Sequence, residues 1–89
     1  MKHAGPAALD QLEPFLARIR AAAPELREKN RGVFYRGSKA FLHFHEDPAG
    51  MFADIRLDGV TFERFRATTA AEQKDLLKRL QRALPPAVS

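Results

Sequence analysis

The side chains best suited to chemistry in this sequence are two histidines, His43 and His45, and an aspartate, Asp54. The histidines alternate along a β-forming segment, so both imidazoles project from one side of a strand, about 6.5–7 Å apart. That spacing suits two ligands of one metal ion, and Asp54 on a neighbouring strand is a candidate third ligand. One hypothesis is therefore a metal-dependent or small-ligand enzyme centred on these residues. The alternative is that His43 simply hydrogen-bonds Asp54 across the strand pair.

The metal motif is incomplete by sequence. Gly37, five residues and His43-Phe44-His45 resemble the start of the cupin metal motif, but no later histidine exists to complete it. The chain also contains no Gly-x-Ser-x-Gly motif, no glycine-rich phosphate loop and no cysteine. We therefore predict no cofactor, and the sequence favours a binding protein over an enzyme.

Size and composition restrict the class of protein. The 89 residues, 45% hydrophobic and 29% charged, predict one globular domain over 1–89. The formal net charge of +4 indicates a mild preference for polyanions. No apolar run approaches the roughly 20 residues that span a bilayer. We expect no membrane association and a cytoplasmic location, which the absence of cysteine also fits.

Two amphipathic helices are predicted at the ends of the chain. A frayed tail is expected over 1–6, followed by apolar residues at helical spacing. Because a proline costs about 3 kcal/mol inside a helix, Pro14 favours a short turn at 7–12 and a helix at 14–22 over one kinked helix. Another helical turn is expected over 24–29. The second helix follows a capping box of Thr69 and Glu72 and ends at Pro85-Pro86, with 86–89 flexible.

Between the helices, the apolar residues recur at the period of β-strands. Tight-turn signals at Gly37-Ser38, at 47–50 and at Asp58-Gly59 divide this region. They separate four predicted strands, at 33–36, 39–46, 51–57 and 60–67. The predicted fold is α+β: a two-layer, four-stranded antiparallel β-meander flanked by N-terminal and C-terminal helices, in the order α-β-β-β-β-α.

The register across the 47–50 turn decides which side chains share a face. Pairing Glu46 with Met51 places His43 opposite Asp54, whereas a bulge at Gly50 puts the histidines on the face of Ile55. We prefer the first register because it separates apolar from polar side chains. The predicted core face then includes Tyr35, Leu42, Phe44, Ala53, Ile55, Val60 and Phe62. The second face carries Phe34, Arg36, Phe41, His43, His45, Phe52, Asp54, Arg56, Glu63 and Phe65.

The second face is the predicted binding surface, because aromatic side chains are enriched where proteins make contacts. The first hypothesis is a non-enzymatic binding or self-association module, with a homodimer or protein partner. Its contact residues would be Phe41, His43, His45, Phe52, Asp54 and Arg56. The second hypothesis is single-stranded nucleic acid, stacked on phenylalanines beside basic strand residues. Glu46, Asp54 and Glu63 are expected on or beside the same surface, where they would repel phosphates.

The segment from Ala40 to Asp47, Ala-Phe-Leu-His-Phe-His-Glu-Asp, followed by Phe52-Ala53-Asp54, resembles small uncharacterised bacterial domains. Those domains are built on a helix-flanked β-meander, and the resemblance covers about a third of the chain. It implies a fold of that kind and no established activity, so no functional residue is carried over.

Overall fold

A computed structural model describes residues 1–84, which form six strands and two helices. The elements are β1 (Lys2–His3), α1 (Pro6–Ala22), β2 (Arg27–Asn30), β3 (Val33–Arg36), β4 (Lys39–Asp47), β5 (Gly50–Ile55), β6 (Glu63–Arg66) and α2 (Ala70–Ala83). The α+β class with flanking helices is confirmed, although the strands number six rather than four. The predicted flexible segment 86–89 lies outside the described residues.

The sheet is antiparallel in the order β2-β3-β4-β5-β6, and β1 pairs with the far end of β4. Both helices pack on one face, which we call the covered face. Its core contains Leu12, Leu16 and Ile19 of α1, Leu76 and Leu80 of α2, and Phe34, Leu42, Phe44, Ala53 and Ile55 of the sheet. The opposite side of the sheet, which we call the open face, carries His43, His45 and Asp54. No helix within residues 1–84 is long and apolar enough to cross a membrane.

Helix α1 is continuous through Pro14, so the predicted break after residue 12 is wrong. Pro6 occupies the first turn, where its missing N–H is harmless, and Pro14 lies on the exposed side. The buried stripe that includes Leu12 and Ile19 runs on both sides of Pro14, and its burial offsets the lost hydrogen bond. Tertiary packing thus overrides the cost of an internal proline.

Helix α2 begins as predicted. The Thr69 hydroxyl accepts the Glu72 N–H at 3.1 Å, and the Glu72 carboxylate accepts the Thr69 N–H at 2.9 Å. This reciprocal pair satisfies two of the N–H groups that a helix start leaves without partners. Leu76 and Leu80 then follow at a four-residue interval and are both buried.

The β4–β5 register is confirmed, with Glu46 opposite Met51 and His43 opposite Asp54. The next connection is not the tight Asp58-Gly59 hairpin that the sequence predicts, because β5 ends at Ile55 and β6 begins only at Glu63. Asp58 Oδ1 accepts the N–H groups of Val60 and Thr61, each at 2.8 Å. A side chain that captures these N–H groups competes with strand pairing and leaves a wider loop at 56–62.

Two further predictions about the first third of the chain are wrong. Residues 1–6 are not a frayed tail, since β1 pairs with β4 and α1 starts at Pro6. Residues 27–30 form β2 against β3 rather than a further helical turn. Neither strand has an apolar alternation of its own, so their pairing depends on the edges of the neighbouring strands.

An irregularity in the β3–β4 pairing changes the distribution of aromatic side chains. Phe34 lies opposite Leu42 but Tyr35 lies opposite Ala40, so Phe41 is an extra residue on β4. As a result Phe34 and Phe41 enter the core, 1% and 2% exposed. Phe65 faces the same way, opposite Ala53. The prediction that these three rings lie on the second face is therefore wrong.

The converse error concerns residues that were expected in the core. Tyr35 is half-buried, with the Lys29 ammonium 4.1 Å from the centre of its ring. Val60 is 74% exposed. Phe62 leaves the core and contacts His43 on the open face.

Candidate metal centre

All three histidines of the chain meet on the open face. One ligand nitrogen from each of His3, His43 and His45 lies within 4.8 Å of those of the other two. We call these residues the histidine cluster. His43 and His45 come from β4 by alternation, as the sequence predicts, but the third member comes from β1 rather than from a later part of the chain.

The pairing of β1 brings His3 into the cluster. His3 lies opposite His45 in the register, and the Ala4 N–H donates to the Phe44 carbonyl at 3.0 Å. The next N–H, that of Gly5, donates to Glu46 Oε2 at 2.6 Å just before α1 begins. Glu46 thus faces the helices, away from the histidines, as the alternation of β4 predicts.

The imidazole rings are close to one another. The ring centres of His3 and His45 are 4.6 Å apart in a stacked arrangement, and those of His43 and His45 are 5.0 Å apart. His45 is 8% exposed, yet neither of its ring nitrogens has a hydrogen-bond partner, and neither does Nδ1 of His43. Buried polar atoms almost always find partners, so these nitrogens are the exceptions that call for an explanation.

Asp54 contacts the histidine cluster but is not one of its members. Its two carboxylate oxygens accept hydrogen bonds from Nε and Nη2 of Arg64, at 2.8 and 2.9 Å. Oδ2 is also 3.1 Å from Nε2 of His45, an ion-pair distance at an angle outside that of a hydrogen bond. The proposed His43–Asp54 side-chain hydrogen bond is therefore wrong, although the two residues are cross-strand neighbours.

The charges of these residues follow from their surroundings. The hydrogen bonds from Arg64 lower the pKa of Asp54, which keeps this carboxyl ionised although it is only 7% exposed. Burial lowers the pKa of His43, and the nearby His45 and His3 act in the same direction against the attraction of Asp54. His43 is therefore neutral at pH 7, which is the form of imidazole that binds metal ions.

An aromatic and a cationic side chain border the cluster. The ring of Phe62 is 4.8 Å from that of His43, and the guanidinium of Arg56 lies 4.3 Å from the centre of the Phe62 ring. Nε of Arg56 is buried without a partner. On β5, the ring of Phe52 is half-buried opposite His45, under the Arg66 guanidinium.

Of the six predicted binding residues, the structure brings five to the open face: His43, His45, Phe52, Asp54 and Arg56. Phe41 lies in the core instead. The residue that the sequence interpretation missed is His3, because it was assigned to a frayed tail. The one available signal was the count: with three histidines in the chain, His3 was the only candidate for a third imidazole ligand.

Comparison with known proteins adds no family to this description: no family model, no curated protein and no solved structure matches the chain. The fold and the site therefore define it only as an α+β domain with a three-histidine cluster on the open face of its sheet.

Proposed function

We propose that this chain binds a divalent transition-metal ion, best matched by Zn²⁺, through His3, His43 and His45. The observation that supports the proposal is the convergence of three imidazoles, two of which, those of His43 and His45, have buried nitrogens that lack partners. Imidazole is a preferred ligand of Zn²⁺, Cu²⁺ and Ni²⁺, and three histidines form a known ligand set for zinc.

The distances fit such an ion after a small adjustment. Ligands of a tetrahedral zinc with bonds of about 2.0–2.1 Å are about 3.3–3.4 Å apart. The ligand nitrogens of the cluster lie within 4.8 Å of one another, so binding one ion would bring them closer by up to about 1.5 Å. Three protein ligands leave a fourth position for water or another ligand.

The Asp54–Arg64 pair fits the surroundings of a metal-binding histidine. Metal-bound imidazoles usually donate their second N–H to a carboxylate, which fixes the ring and raises its basicity. Asp54 Oδ2 is 3.1 Å from Nε2 of His45, so a rotation of the His45 ring would direct its Nε2–H at Asp54 and leave Nδ1 to bind the ion. Asp54 thereby changes from a candidate ligand to the residue that orients a ligand.

Titration with Co²⁺, followed by competition with Zn²⁺, tests the proposal. The protein is first stripped with a chelator and carries an amino-terminal extension, so that no free α-amino group competes. We expect one Co²⁺ per chain, the intense visible absorption of four-coordinate cobalt, and its loss when Zn²⁺ is added. His3→Ala, His43→Ala and His45→Phe should each weaken binding by more than the roughly 10–100-fold typical of orienting residues.

Two further variants separate the roles. Asp54→Asn should weaken binding by about 10–100-fold while the cobalt spectrum keeps its four-coordinate form. Asp75→Asn, a change to an exposed carboxylate on α2, is the control and should change nothing. A stripped protein without the cobalt absorption, or histidine variants that bind as the parent does, would refute the proposal.

The other two hypotheses remain predictions. Self-association through Phe52 and Arg56 would be seen as a dimer in sedimentation, and a cytoplasmic location remains an expectation from composition. Exposed large hydrophobic residues within 1–84 are Met1 and Val60, and neither adjoins Phe52 in the sheet register.

A further inference from the structure

The open face has a second feature, which the metal centre does not use. Three aromatic rings on it each have a cation within stacking distance, and we call them the ring–cation pairs. The separations from cation to ring centre are 4.1, 5.3 and 4.3 Å for Lys29–Tyr35, Arg66–Phe52 and Arg56–Phe62. All three rings are half-buried, so part of each remains in contact with solvent.

The register places these rings on both sides of the central strand β4. Tyr35 on β3 lies opposite Ala40, and Phe52 on β5 lies opposite His45. Arg27 and Arg66 are the neighbours of Tyr35 and Phe52 on the outer strands β2 and β6. Because Ala40 and His45 are five positions apart on β4, the Arg27–Tyr35 row and the Phe52–Arg66 row are offset by about 16 Å along the strands, and the histidines lie beside the second row.

Most of the carboxylates that would repel an anionic ligand lie on the helix side of the sheet and not on the open face. Glu46 accepts the N–H of Gly5 on the helix side, and Glu63 lies opposite Ile55, whose side chain is in the core. Glu28 pairs with Arg20 of α1 on that same side.

Three acids remain on or beside the open face. Asp54 is paired with Arg64, Glu72 of α2 accepts a hydrogen bond from Nε of Arg66, and Asp47, at the β4–β5 turn, accepts the N–H of Ala49. Against them stand the cations of β2, β6 and the 56–62 loop, so positive charge predominates among the described residues of this face. The repulsion of phosphates expected from Glu46 and Glu63 is thus removed by their orientation.

We propose that the open face binds single-stranded nucleic acid, with bases stacked on Tyr35, Phe52 and Phe62 and phosphates held by the cations beside them. Aromatic rings within a cationic surface are the arrangement by which sheets bind single strands. Guanidinium planes also stack on bases, so Arg56 and Arg66 extend the rings they cover. A duplex fits less well, because its bases are already stacked on one another and offer no free faces.

The proposal is tested by fluorescence anisotropy with labelled dT₁₀ and U₁₀ and a hairpin duplex of equal charge. The full chain is used with a chelator present, so that the result does not depend on the metal centre. We expect the single strands to bind more tightly than the hairpin. The logarithm of the affinity should fall with the logarithm of salt concentration at a slope of about −2, as expected for about three phosphates.

Substitutions then separate the contribution of the rings to binding from that of the charges. Phe52→Leu removes the ring but no charge, and it should weaken binding by about 5- to 100-fold with the salt slope unchanged. Phe52→Trp should restore binding, which a merely structural role would not predict. Arg66→Gln should reduce the salt slope by about 0.7.

The chain supplies a matched control on the other layer. Arg79 of α2 lies 5.0 Å from the centre of the Phe65 ring, and Phe65 faces the helices. Arg79→Gln removes the same charge from the same kind of pair and should leave binding and salt slope nearly unchanged. Equal losses in Arg79→Gln and Arg66→Gln would overturn the proposal. So would equal binding of hairpin and single strands with no effect of Phe52→Leu, or an absence of binding at low salt.

Discussion

The two faces of the sheet differ in how their polar groups are satisfied. On the covered face the charged side chains near the helices form a closed network: Arg20 bonds Glu13 and Glu28, and Arg31 bonds Asp10 and Glu13. On the open face lie the buried side-chain nitrogens without partners, those of His43, His45 and Arg56. Within residues 1–84, these are the buried side-chain nitrogen and oxygen atoms that lack a hydrogen-bond partner.

This difference is the basis for proposing a ligand on the open face and not on the covered face. Unsatisfied buried polar atoms cost stability, and a core made only for folding would replace them with carbon. Their concentration around the histidine cluster is the physical reason for seeking a ligand there. On the helix side, the acids and bases named above already pair with one another.

The largest expected contrast between the faces is in stability. Phe34→Ala on the covered face should lower the free energy of unfolding by about 3–5 kcal/mol, since it empties a site that is 1% exposed. Phe52→Ala on the open face should cost about 1 kcal/mol or less, because its ring already contacts solvent. Urea denaturation with a chelator present measures both.

If Phe34→Ala does not fold, the milder Phe34→Leu replaces it, with an expected loss of about 1 kcal/mol. Equal losses for Phe34→Ala and Phe52→Ala would show that the open face is a second core. The assignment of the two faces would then be wrong.

A smaller effect of opposite sign is expected at two adjacent residues of β4. His45→Phe removes the buried nitrogens without partners and should raise the unfolding free energy of the metal-free protein by about 1 kcal/mol. Phe44→His places such a group among carbon atoms and should lower it by about 1–3 kcal/mol. Thermal melting of chelator-treated samples compares them, and destabilisation by both changes would contradict the distinction.

The smallest effect concerns acid stability on the covered face. Hydrogen bonds from Arg20, and then from the Gly32 N–H, hold the pKa of Glu28 below its ordinary 4.5, against the effect of burial. Because the folded pKa is the lower one, this contribution is present above 4.5 and is lost as the pH falls through the folded pKa. Glu28→Gln should therefore be less stable than the parent protein at pH 7. The expected difference in the free energy of unfolding is about 0.5–1 kcal/mol, a small value because solvent screens the charge of Arg20.

Denaturation of the parent and Glu28→Gln across pH 7 to pH 2 measures this difference. The two curves should converge at the acid end. A constant gap between them would mean that Glu28 contributes through packing rather than through its charge.

The parts of the fold predicted from sequence are those with local causes. The capping box of α2 and the β4–β5 register follow from side chains close to one another in the chain. The position of Phe41 could not be predicted, because Ala40, Phe41 and Leu42 are all apolar and alternation does not show where a bulge lies. The prediction of a helix break at Pro14 was wrong because the sequence shows the local cost of an internal proline but does not show the packing of the helix on both sides of it.

Only part of the candidate site could be predicted from the sequence. His43 and His45 share a face because a strand alternates, and that inference needs no other element. His3 requires β1 to pair with the end of β4, a contact between chain segments far apart in sequence, and two residues carry too little pattern to predict it. Asp54 was placed opposite His43 correctly, but Arg64, which determines what its side chain bonds, arrives from β6.

The position of His3 has a further consequence for the unfolded chain. His3 and His43 are forty positions apart, and an ion bound to both would join β1 to β4 as a cross-link. A covalent link that closes a loop of this length removes about 4 kcal/mol of conformational entropy from the unfolded state. This chain has no cysteine with which to make such a link. A metal ion held by the histidine cluster would therefore stabilise the folded chain in the way that a disulfide does, but reversibly.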